Sequence, residues 1–132
     1  MGGLKIIFLS LMLSCGTGLN AMPNDVRDQA QRFASCLGRY SATMEHEWLL
    51  GRDGADALAR RQMFEALLEA VAPDAKQAGL SSAQVLHIRI EAKFAQARLL
   101  SLASFATDRR QARHAQASAQ RLMTSCRMLV LS

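Results

Sequence analysis

From Val26 to Trp48 an apolar residue returns at every third or fourth position: Val26, Ala30, Phe33, Leu37, Tyr40, Met44 and Trp48. Steps of three and four place all seven on one face of an α-helix roughly six turns long, and the alternation of a strand does not fit them. So long a stripe has to be covered by other elements, and the rest of the chain must supply them. Its composition supplies helices. Alanine is frequent, β-branched and aromatic residues are scarce, and the two prolines are Pro23 and Pro73, a mixture that disfavours sheet. Half of the residues are apolar and a fifth are charged, enough for a core without a metal or cofactor and too apolar for disorder.

Local punctuation divides the chain into four helices. Asn24 is positioned to cap the first, Gly51 to end it, and "GRDG" (51–54) to turn the chain. Asp53 or Asp56 starts a second helix whose apolar face carries Met63, Phe64, Leu67, Ala70 and Val71, and Pro73 is expected to stop it. "PDAKQAGL" (73–80) then reads as a linker. "SSAQ" (81–84) is a capping box, with Leu80 and Val85 at the hydrophobic-staple positions around it. A third helix runs to about Ala106, and Thr107 or Asp108 caps a fourth. The expected helices are about 24–50, 54–72, 81–106 and 108–130, in a single domain over 22–132. Short connections between them favour an all-α, up-down-up-down four-helix bundle.

Residues 1–21 read as a cleavable signal peptide. Lys5 gives a positive start, "IIFLSLML" (6–13) an apolar stretch too short for a bilayer span, and "LNA" (19–21) a cleavage sequence ending at Ala21. The expected location is therefore periplasmic or secreted. A competing reading takes "MLSC" (12–15) as a lipobox and anchors a lipoprotein through Cys15, although Met12 is unfavourable at its first position. Cleavage after Ala21 leaves two of the three cysteines, Cys36 and Cys126. In an oxidising compartment the pair favours a disulfide over two buried thiols. Cys36 lies about as far before the "GRDG" end of helix one as Cys126 lies beyond the start of helix four, so antiparallel neighbours would bring them level. No Cys-X-X-Cys redox motif is present.

"MEHEWLL" (44–50) looks most like chemistry, with His46 between Glu45 and Glu47. Neighbours on a helix point about 100° apart, so these three side chains do not converge on one ion. Met44 and Trp48 belong to the apolar stripe, with Trp48 expected to be the most buried residue of the segment and His46 to face water. His87 and Glu91 are four apart and share a helix face, the geometry for two metal ligands or an oriented imidazole. A surface pair worth a few tenths of a kcal/mol has the same spacing, and Arg98 competes for Glu91. This pair centres the alternative of a periplasmic metal- or haem-carrying bundle. Covalent haem attachment lacks its Cys-X-X-Cys-His motif, and Met44, Met63 and Met123 fit a core better than an axial ligand.

Two surfaces remain. Helix four carries Arg109, Arg110, Arg113, Arg121 and Arg127, with His114, on one side. Ala115, Ala119, Leu122, Cys126, Leu129 and Val130 lie opposite. The basic side suits an acidic partner or an anionic membrane surface, whereas nucleic acid is not expected for an exported chain. Helix three has two apolar stripes. One is Ile88, Ala92, Ala95, Leu99, Leu102 and Ala106; the other is Leu86, Ile90, Phe94, Ala97 and Phe105. Arg89, Lys93 and Gln96 separate them on one side and His87, Glu91 and Arg98 on the other. A surplus stripe means a deeply buried helix or an exposed apolar face. With no nucleophile–base pair, phosphate loop or metal-ligand spacing that would support an enzyme, the expected function is a non-enzymatic binding or interaction protein of the cell envelope, without cofactor. Its contacts, with an envelope protein or by self-association, are expected at Leu86, Ile90, Phe94, Arg109, Arg110 and Arg113.

Overall fold

The computed structural model describes residues 23–131. The expected signal peptide, its cut at Ala21 and Cys15 lie outside the described residues. Those residues form four α-helices and no strand: α1 (Pro23–Leu49), α2 (Ala55–Gln77), α3 (Ser82–Phe105) and α4 (Arg109–Met128). None of these helices is long and apolar enough to cross a membrane.

The first helix is the hub of the fold. Its stripe buries Ala30, Phe33, Leu37, Tyr40 and Met44, and both α2 and α3 pack along it. Phe64 of α2 is fully buried between Tyr40, whose ring stacks on it at 5.6 Å, and Phe33, tilted at 6.1 Å. Leu68, Ala75 and Leu80 extend this core. On the α3 side the contact is backbone against backbone. A methyl group added at Gly38 would collide with the Arg89 carbonyl oxygen and lie 3.0 Å from the Lys93 nitrogen. Ala34 and Ala42, one turn to either side, are also buried. Small residues at four-residue spacing thus open a notch in α1 through which α3 passes.

The notch explains why the faces of α3 fall where they do. The line of α3 nearest α1 is the polar one, Arg89, Lys93 and Gln96, which the sequence places between the stripes. Gln96 is fully buried, and Lys93 reaches out to Glu45 of α1 at 2.6 Å. The stripe led by Ile88 and Leu99 is half-buried beside that line, with Ala95 exposed, and the stripe led by Leu86, Ile90 and Phe94 faces outward.

Both turns that stop α1 and α2 are glycine motifs. Gly51 has φ 73° and Gly79 φ 91°. In each, the residue after the glycine donates its N–H five positions back, Arg52 to Glu47 at 2.9 Å and Leu80 to Ala75 at 2.9 Å, the Schellman pattern that closes a helix end. Pro73 does not end α2, which continues four residues past it to Gln77. Buried Ala75 and Leu80 hold the final turn against the core, offsetting the single backbone hydrogen bond the proline forgoes. Asn24 likewise stands inside the first turn of α1, which begins at Pro23.

The caps of α3 and α4 match expectation. Ser81 and Gln84 form the reciprocal box, at 3.2 Å and 2.8 Å, and Asp108 accepts from the Arg110 amide at 2.8 Å. The N-cap position of α2 is instead Gly54, φ 64°, with no side chain capping the helix; Asp53, one residue earlier, accepts from the Ala55 amide at 3.1 Å.

The fourth helix rests mainly on α3 and touches α1 over a small area. There Cys36 and Cys126 form a disulfide with Cα atoms 5.6 Å apart, both buried. Arg39 lies over it, donating to Ser125 Oγ and Cys126 Sγ at 3.5 Å each, and burial lowers its guanidinium pKa below the ordinary arginine value.

Two stability outcomes follow from this packing. Gly38→Ala, which on an open helix would stabilise by about 1 kcal/mol, lowers stability here by roughly 1–3 kcal/mol through overpacking. Chemical denaturation of the two proteins reads the sign directly. Reducing the disulfide removes on the order of 4 kcal/mol, because its loop spans about 90 residues. Thiol titration of the denatured, unreduced protein finds neither Cys36 nor Cys126 free.

Candidate functional site

The outer face of α3 exposes large apolar side chains. Leu86 is 53% exposed, Ile90 42% and Phe94 69%, and Phe105 further along is exposed as well. Burying a side chain of this size stabilises by about 1.5–3 kcal/mol, and the described residues leave these four uncovered. Glu91, Phe94, Ala95, Arg98 and Leu99 line a shallow groove of about 400 Å³ on this face. Leu86 and Ile90 form one wall of a second groove, also about 400 Å³, whose other wall includes Met44, Glu45 and Arg61.

His87 and Glu91 are both exposed, and no hydrogen bond joins them. Among the described residues no group of three or more His, Cys, Asp or Glu side chains lies close enough to hold one metal ion. The two side chains at the centre of the metal alternative therefore lack a third ligand there. Met44 and Met123 are buried and Met63 is half-buried against the core, so these methionines fill space between helices.

Arg109, Arg110 and Arg113 are exposed in the first turns of α4, and none enters an ion pair among the described residues. The α3–α4 connection sets them beside the C-terminal end of α3. Phe94 lies about 16 Å further back along that axis. Leu86, Ile90 and Phe94 therefore do not form one patch with these arginines.

The "MEHEWLL" segment sends its polar side chains to three different neighbours. Glu45 pairs with Lys93, Glu47 with Arg52 at 3.1 Å, and His46 meets Ser104 Oγ at 2.8 Å with its ring edge-on to Phe105. His46 is therefore half-buried against the end of α3 rather than facing water. Trp48 is not buried, being 51% exposed. The indole lies over the glycine turn that leads into α2, its Nε1 donating to the Asp53 carbonyl at 2.9 Å and its ring close against Gly54.

A feature with no counterpart in the sequence reading is a cleft of about 660 Å³ where α1, α2, α3 and α4 meet. Tyr40, Thr43, Arg60, Gln96, Met123 and Arg127 are among the residues that line it. Both amide atoms of Gln96 are buried and lack a protein hydrogen-bond partner. Burial raises the Tyr40 hydroxyl pKa above its ordinary value, while the nearby cations Arg60 and Arg127 oppose the rise. The cleft thus offers two guanidinium groups, the carboxylates of Glu47, Asp53 and Asp56, a phenol, a hydroxyl and two amides, and its walls contain neither His nor Cys. Gln96 was hidden in the sequence because the apolar stripes on either side of it claimed the interior. The small residues Ala34, Gly38 and Ala42 were the available sign that a polar line of another helix could lie against α1.

Replacing Gln96 by methionine keeps the side-chain volume and removes two unpaired polar atoms. Such a replacement stabilises by about 1–3 kcal/mol, measured as a higher denaturation midpoint with an unchanged m value. Compared with known protein families, with characterised proteins and with solved structures, the chain matches none.

Proposed function

We propose that this chain is an exported, non-enzymatic interaction protein of the cell envelope, an up-down-up-down bundle behind a cleavable signal peptide. It presents the outer face of α3 to a protein partner. The observation that carries the reading is the exposure of Leu86, Ile90 and Phe94 on consecutive turns of a helix whose opposite side is packed. An uncovered apolar stripe at helical spacing accepts the stripe of another helix. The Cys36–Cys126 disulfide is compatible with an oxidising compartment. The unpaired arginines at the start of α4 add attraction for an acidic partner or for anionic lipid headgroups. Helix order is supported by side-chain pairings. Trp48 meets Gly54 near the first turn while Arg27 approaches Gly79 at the far end of α2, and Cys36, Arg39 and Thr43 meet Cys126, Ser125 and Met123 in descending order.

Crosslinking in the native envelope followed by mass spectrometry tests the proposal. The wild-type chain is expected in the envelope fraction with a captured protein partner. A Leu86→Ser, Ile90→Ser, Phe94→Ser variant is expected to lose the capture while keeping its helical circular dichroism. Capture that survives the triple substitution, or a chain retained in the cytosol, would overturn it.

A further inference from the structure

The charges beside the apolar stripe of α3 have a self-complementary arrangement. At about 100° per residue, Phe94 and Phe105 lie along the centre of the exposed face. Leu86, Ile90 and Ala97 lie on one flank, Glu91 and Arg98 on the other. Glu91 and Arg98 are exposed, and among the described residues neither enters an ion pair. They share a flank but stand two turns apart, about 10 Å along the axis, which is too far to pair within one helix.

When two copies of one helix pack antiparallel about a two-fold axis, like flanks meet. An axis near Phe94 and Ala95 therefore sets Glu91 of each copy opposite Arg98 of the other. On the opposite flank it sets Ile90 of each copy beside Ala97 of the other and Leu86 toward Phe105, and it points each Phe94 at the groove lined by Ala95 and Leu99. A parallel pair would instead oppose the charged flank of one helix to the apolar flank of the other and leave all four charges unpaired.

We propose that the occupant of this face is a second copy of the chain, docked through antiparallel α3 helices with Phe94 at the centre and two Glu91–Arg98 pairs fixing the register. The proposal rests on the reading that the outer face of α3 is the interaction surface. Apolar burial holds the dimer together, and the exposed ion pairs contribute orientation more than affinity.

Sedimentation equilibrium of the purified, disulfide-bonded protein, from roughly micromolar concentration upward, provides the test. Wild type is expected to show a monomer–dimer equilibrium, and Phe94→Ser to remain monomeric. Glu91→Arg and Arg98→Glu, each turning two attractive pairs repulsive, are expected to weaken the dimer by about tenfold. The Glu91→Arg, Arg98→Glu double variant is expected to return to within about threefold of wild type. All three positions are exposed, so circular dichroism should be unchanged throughout. A wild type that stays monomeric overturns the dimer, and a double variant no tighter than the single ones overturns the antiparallel register. If the wild type is monomeric while envelope capture still depends on Phe94, the dimer fails and the wider interaction reading stands. If both vanish, both fail.

Discussion

The fold depends on the approach of α3 to α1 at Gly38. Helix pairs usually keep their axes 8–10 Å apart with side chains interleaved, but here a glycine flanked by Ala34 and Ala42 lets one backbone rest on the other. Dispersion between closely packed main chains then replaces part of the usual side-chain packing. What α3 turns inward is set by this geometry rather than by hydrophobicity. The backbones of Arg89 and Lys93 meet Gly38, Lys93 reaches out to Glu45, Gln96 is buried, and Leu86, Ile90 and Phe94 are carried to the outside. One missing Cβ accounts for both the unpaired amide in the cleft and the uncovered stripe on the surface.

Much of the architecture was legible in the residues, because short-range signals decided it. The capping box at Ser81, the glycine stop at Gly51, the cap at Asp108 and the stripe of α1 are properties of a few neighbouring positions, and the structure repeats them. The disulfide was legible because two cysteines remain after the expected signal peptide and the helix register sets Cys36 and Cys126 level. Pro73 misled because its effect on a helix competes with the burial of Ala75 and Leu80, which no local rule weighs. Gly79 carries the same stop signal as Gly51, but it lies in a polar stretch after Pro73 that has the composition of a linker. The inner face of α3 was the larger miss. Periodicity ranks faces by apolar content, and a backbone crossing selects a face by steric clearance. Trp48 departs from the periodicity because the end of the α1 stripe lies over the turn into α2 rather than against a helix.

The candidate surface divides in the same way. Exposure of Leu86, Ile90 and Phe94 on α3 follows from the crossing, whereas the arginines of α4 are displayed simply because that helix has one apolar side of small residues, Ala115 and Ala119. These small side chains give α4 little area to bury, and its contact with α1 is slight. The covalent bond at Cys126 compensates, tying a weakly packed helix to the hub. Arg39 shields that bond from solvent on one side, so the same residue that loses hydration also covers the sulfur.

The position of Trp48 has a spectroscopic consequence. It is the sole tryptophan of the chain, and it sits half in water above the α1–α2 turn, its indole nitrogen tethered to Asp53. Its fluorescence in the native protein should already be red-shifted compared with a core indole. Changes in its emission would therefore report the loosening of one loop rather than the loss of the core. An unfolding curve followed by this fluorophore and one followed by helical ellipticity monitor different parts of the molecule, and any gap between them would measure how tightly the α1–α2 corner is coupled to the rest.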